Sequence, residues 1–160
     1  MIDFMIVALP RSGTAWLSNW FTTDRSICWH EALMDDDLAA LDRLSITGLF
    51  GISETALILQ DVDVLNRHPA RKLIVHRPLR DVNASLAKLG LPPMDKGAYF
   101  KLDEIGGHHI TYDALWDVHK FRKAHEAILP TPFDTARYAT LRKLNIQNAE
   151  AIRCVQEMLA

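Results

Sequence analysis

The chain has 160 residues, 49% of them hydrophobic and 24% charged, with a formal net charge of −2. It is long enough to bury a sizeable core as a single domain over 1–160. Its charge excludes a general pull toward nucleic acid or an anionic membrane, so any anion site must be local. Two cysteines, Cys28 and Cys154, make neither a disulfide framework nor a metal cluster.

In chain order, Met5–Leu9 predicts a buried strand, and Thr14 to Thr22 a helix rich in tryptophan. The first apolar run is too short to span a bilayer and lacks a basic flank, so a cytoplasmic protein is expected. Ser26–Trp29 predicts a second strand, ending at His30-Glu31. Leu33 to Leu44 has helical spacing, and Asp35-Asp36-Asp37 near its start reads as a dipole-favoured first turn rather than a metal site. Leu49–Ser53 predicts a third strand and Ala56–Arg67 a helix stopped before Pro69. Lys72–His76 is a clear buried strand, followed by a helix from Val82 to Leu89. Residues 94–111 read as a loop, in which His108-His109 lack partner ligands at metal-site spacing and mark a flexible segment or lid. Tyr112–Leu129 predicts a long helix, Phe133–Tyr138 a last strand, and Ile146–Ala160 a closing helix.

Strands alternating with helices predict a three-layer α/β fold, with a parallel sheet of about four to five strands flanked by helices. In such open sheets ligands bind beyond the carboxyl ends of the strands. Two segments lie there. Pro10-Arg11-Ser12-Gly13-Thr14 joins the first strand to a helix N-terminus, where unpaired N–H groups and the helix dipole favour an anion. Gly13 lets the backbone approach the anion, Ser12 and Thr14 add hydroxyl donors, and Arg11 adds a charged fork. The second segment runs from Arg77 into the following helix. No Gly-Lys pair follows the first strand, so this is not the P-loop G-x-x-x-x-G-K-[ST] motif of ATP-dependent phosphotransferases.

At this point the sequence resembles the sulfotransferases that use 3′-phosphoadenosine 5′-phosphosulfate (PAPS), most closely the short tyrosylprotein and bacterial types. Pro10-Arg11-Ser12-Gly13-Thr14-Ala15-Trp16-Leu17 is similar to their 5′-phosphosulfate loop, P-[KR]-S-G-T-T-W-L. Leu73–Ser85 is similar to their 3′-phosphate segment, with Arg77 at the strand end and Ser85 eight residues on. The likeness covers about the first 90 residues well and continues faintly to Arg137-Tyr138-Ala139-Thr140-Leu141, which is similar to an R-Y-E-D-L strand without its carboxylates.

The resemblance implies a P-loop-like sulfotransferase fold, PAPS as donor, 3′-phosphoadenosine 5′-phosphate (PAP) as product and no metal. It implies transfer to a hydroxyl or amine on a small-molecule or peptide acceptor. Ser12, Gly13 and Thr14 would bind the 5′-phosphosulfate, Arg11 would bind it and stabilise the developing charge, and Arg77 and Ser85 would hold the 3′-phosphate. Trp16 would offer a face to adenine, although a tryptophan on an apolar helix face equally suits a core. Ala15 stands where the family has a second threonine, which removes a hydroxyl worth about 1 kcal/mol. No closing Gly-rich basic segment follows Tyr138, itself read as a packing residue. For the base that takes the acceptor proton, Glu31 matches best and His30 is the neighbouring alternative. Two other classes remain: an inert PAP- or PAPS-binding module, consistent with Ala15, and a kinase-like phosphotransferase, opposed by the missing Gly-Lys pair.

Overall fold

The structure, a computed structural model, describes residues 1–34, 36–144 and 146. Asp35 and nearly all of the expected closing helix lie outside the described residues. Five strands form one sheet in the order β2-β3-β1-β4-β5: β1 Phe4–Ala8, β2 Ser26–His30, β3 Leu49–Glu54, β4 Arg71–His76 and β5 His108–Thr111. Every pairing is parallel, with Phe4 opposite Gly51 on one side of β1 and Arg71 on the other. The continuous apolar run of β1 is what a strand covered on both faces requires, and each of its residues is fully buried.

Alternate residues of the strands feed two cores. On one face, Phe4, Ile6, Leu73 and Val75 pack against α1 (Thr14–Phe21), α6 (Val118–Ile128) and α7 (Thr135–Leu141). On the other, Met5, Val7, Ile52 and Ile74 meet α2 (Leu38–Asp42), α3 (Val62–Arg67), α4 (Leu79–Ala87) and α5 (Lys96–Glu104).

Several elements depart from the sequence expectation, and a side-chain cap explains most of them. Asp37 accepts from Ala40 N–H at 2.6 Å and Asp61 from Asp63 N–H at 2.7 Å. Each starts a new helix inside a stretch expected to be one, leaving short 3₁₀ turns at Ala32–Met34 and Ala56–Leu59. Asp117 accepts from His119 and Lys120 N–H at 2.9 and 3.1 Å, which divides Tyr112–Leu129 into a 3₁₀ turn (Tyr112–Trp116) and α6. The expected loop 94–111 contains α5, capped by Asp95 on Ala98 N–H at 2.8 Å, and the edge strand β5. His108 and His109 are therefore strand residues. The expected strand Phe133–Tyr138 is instead the start of α7, because Asp134 caps Arg137 N–H at 2.9 Å.

Gly51 marks a close contact between β1 and β3, since a Cβ there would lie 2.2 Å from the Phe4 ring. Gly51→Ala is expected to cost about 2 kcal/mol, measured as a lower urea midpoint at unchanged slope. A loss below about 0.5 kcal/mol would contradict this packing.

Candidate functional site

All five strands end at one edge, and the candidate residues collect there. Leaving β1, the chain takes left-handed backbone at Arg11 (φ 65°) and Gly13 (φ 88°) before entering α1. Gly13 occupies this region freely. Arg11 does not, and strain of order 1–3 kcal/mol at a non-glycine residue is of the kind that clusters at functional sites. The first intrahelical bond runs from Leu17 N–H to Gly13 O at 2.9 Å, so the N–H groups of Thr14, Ala15 and Trp16 have no acceptor within α1. Ser12 is fully buried, and its Oγ has no hydrogen-bond partner among the described residues. A buried hydroxyl is rarely left unmatched, and here it stands in a loop of N–H donors, where an anion oxygen would complete it.

The second segment meets this loop. Arg11 Nε donates to Ser85 Oγ on α4 at 3.1 Å, and Arg77 Nη1 donates to the Arg11 carbonyl. The Arg77 guanidinium also lies 4.4 Å from the centre of the Tyr112 ring, a cation–π contact. Burial, and then the like charge of Arg77, lower the Arg11 pKa. Two guanidinium groups held this close form a place that a polyanion relieves. The structure thus brings together Arg11, Ser12, Gly13, Thr14, Arg77 and Ser85 across 74 residues of sequence.

Beside the cradle, at the end of β2, His30 Nε2 lies 3.0 Å from Thr14 Oγ1. Burial lowers its pKa, against an opposing pull from Glu54, so the ring stays neutral and can accept a proton. Glu31 also has left-handed backbone (φ 56°) and stands 3.4 Å from His30 Nε2. Its carboxyl takes the Thr55 hydroxyl at 3.1 Å. Burial, and then a hydrogen bond and charge repulsion from Glu54, push its pKa up to about 8, so at neutral pH it is a protonated acid. The geometry thus sets the His30 imidazole against the cradle, while the carboxyl of Glu31, the residue expected first as base, turns to Glu54. A recess of about 310 Å³ lined by Cys28, Trp29, His30, Glu31, Ala32 and Asp36 opens next to them.

Trp16 does not offer a face to solvent. It is 3% exposed, stacked on Trp20 and edged by Trp116, Phe121 and Tyr138, while its Nε1 donates to the Leu141 carbonyl at 3.0 Å. It packs as a core residue. Tyr138 is buried too, donating to the Leu115 carbonyl at 2.9 Å. Because Arg137–Leu141 is helical, its likeness to a strand fails. The structure instead has a strand followed by Tyr and an acid at Thr111-Tyr112-Asp113, where Tyr112 covers Arg77 and Gly13. Sequence reading missed Tyr112, and it missed Ser53, whose Oγ bonds the Thr14 carbonyl at 2.9 Å, and Glu54. The available signal was an apolar run, Leu49–Ile52, breaking into Ser-Glu-Thr at the same sheet edge.

Among the described residues no cluster of three or more His, Cys, Asp or Glu is placed to hold a metal, and no helix is long and apolar enough to cross a membrane. In comparisons with known proteins, the chain is similar to the crystal structure of mouse sulfotransferase SULT7A1 complexed with PAP. The TM-score is 0.52 at 15% identity, over 89% of this chain and 63% of that one. The chain thus spans under two thirds of that protein's length. No family model matches the sequence, and no curated protein matches it. The likeness is one of fold: the five-stranded parallel sheet flanked by helices is the sulfotransferase α/β fold.

The Glu31 environment has a pH signature. The folded chain keeps a proton on Glu31 that the unfolded chain loses in the usual carboxylate range, so stability falls as pH rises through about 8. Between pH 7 and 8.5 wild type should lose stability relative to Glu31→Gln, by at most about 1.4 kcal/mol per pH unit, in urea titrations at each pH. Parallel pH curves for the two proteins would contradict the raised value.

Proposed function

We propose that this chain binds PAPS and transfers its sulfuryl group to a hydroxyl or amine acceptor, releasing PAP. One observation carries the reading: Arg11, Arg77 and Ser85 meet beside the buried, unmatched hydroxyl of Ser12, which provides two anion sites joined through one guanidinium. The sulfotransferase fold and the PAP held by the mouse protein support it.

The nucleotide, when bound, supplies an activated sulfuryl group: the acceptor oxygen or nitrogen bonds to sulfur as the bridging phosphate oxygen leaves with the electron pair. The chain's residues then divide the work. Ser12 Oγ and the first-turn N–H groups of α1 hold the 5′ end, and Arg11 stabilises charge growing on the leaving oxygen. Arg77 and Ser85 hold the 3′-phosphate, the group that separates PAP from AMP. Arg77 suits this because its fork can pair two phosphate oxygens while its face rests on Tyr112. His30 Nε2 takes the acceptor proton, and the acceptor, a small molecule or a peptide side chain, enters through the recess beside Trp29.

Calorimetry should find PAP bound at least tenfold more tightly than AMP, with Arg77→Ala removing most of the difference, since a charge-assisted pair contributes about 1.5–3 kcal/mol. Equal affinity for the two nucleotides would overturn the 3′-phosphate assignment. Transfer from labelled PAPS should fall about 10²–10⁴-fold in His30→Ala with PAP binding held within threefold. Its acid limb should lie below the ordinary histidine value, because the base must be neutral and its pKa is lowered. PAP binding without transfer to any acceptor in wild type would favour an inert binding module.

A further inference from the structure

A single base facing the acceptor does not account for Glu54. This residue is fully buried at the end of β3, and each of its oxygens accepts a main-chain N–H: Oε2 from Leu33 at 2.9 Å and Oε1 from Ala56 at 2.8 Å. Both oxygens are therefore already engaged as acceptors. The Glu31 carboxyl is hydrogen-bonded to it from the end of the neighbouring strand. A contact between two buried carboxyl groups requires one proton between them, since both cannot ionise side by side. With the Glu54 oxygens already accepting N–H bonds, that proton belongs on Glu31.

We propose that Glu54 is a positioning residue that shares one proton with Glu31, so that Glu31 serves as a hydrogen-bond donor and the pair presents a single negative charge to His30. The groups facing Glu31 are His30 on its own strand, Glu54 and Thr55 after β3, and Asp36 across the recess. Among the described residues no Lys or Arg forms an ion pair with either carboxyl, so the shared proton is what neutralises the second charge. The consequence for chemistry is a division of labour. The acceptor proton moves to His30 Nε2, and the imidazolium so formed is met by the one negative charge of the pair, with Glu31 Oε1 at 3.4 Å. No proton leaves Glu31 in the step.

The consequence for catalysis rests on the sulfotransferase reading, whereas the shared proton rests on the register that sets the two buried carboxyl groups side by side and on the hydrogen bonds each accepts. Carboxyl ¹³C NMR of the full chain labelled at glutamate, without nucleotide, tests it. In wild type the Glu31 signal should move at an alkaline step near pH 8. Glu54→Gln should lower the Glu31 step by at least one pH unit. Thr55→Val, which removes a donor to the ionised form, should raise it and serves if Glu54→Gln fails to fold. In transfer assays Glu54→Gln should shift the pH profile while PAP affinity stays within threefold. A Glu31 signal titrating in the usual carboxylate range, or keeping its alkaline step unchanged in Glu54→Gln, would overturn the proposal. Loss of PAP binding with the alkaline Glu31 step intact would overturn only the sulfotransferase reading.

Discussion

Parallel pairing on both sides of β1 is the constraint from which the site follows. It sends five carboxyl ends to one edge, and each delivers chemistry there: Arg11 and Ser12 after β1, His30 and Glu31 at β2, Ser53 and Glu54 at β3, Arg77 after β4 and Tyr112 after β5. The register leaves little slack. Phe4 occupies the space that a side chain at Gly51 would fill, so β3 sits close against β1. That closeness lets Ser53 hold the Thr14 carbonyl and brings the first turn of α1 to the ends of β2 and β3.

The electrostatics of this edge are divided by position. Toward β4, two guanidinium groups are held near each other, and burial, followed by the like charge of Arg77, lowers the Arg11 pKa. Toward β2, two carboxyl groups stand together, and one of them keeps its proton. A polyanion fits the first region, and a proton-accepting imidazole fits the boundary between them. Strained backbone lies on both sides, at Arg11 and at Glu31. The fold retains these strained residues at two points that touch the site rather than in its cores.

The central strands and the anion loop were legible in the sequence because their signals are local. Phe4–Ala8 is an unbroken apolar run, Gly13 and the hydroxyls stand in one short turn, and Arg77 with Ser85 has a fixed spacing. Helix boundaries were less legible for a specific reason: a capping aspartate has the same composition as a solvated helix face, so Asp61 and Asp117 read as interior where each begins a new helix. The Pro92-Pro93 and Gly106-Gly107 pairs hid α5 and β5. Trp16 stays open between core and ligand platform in the sequence, and Tyr112 is missed there, because periodicity cannot say which aromatic ring is enclosed by others. Glu54 was out of reach: a carboxylate in a buried strand gains meaning only from the Glu31 that another strand places against it.

The central claim is that one bisphosphorylated nucleotide spans the β1 and β4 ends of the sheet. A crystal structure of the chain grown with PAP tests it most directly. The account predicts the 5′-phosphate within hydrogen-bonding distance of Ser12 Oγ and the first-turn N–H groups of α1, with the 3′-phosphate between Arg77 and Ser85. Nucleotide bound away from this edge, or with its 3′-phosphate clear of both residues, would contradict it.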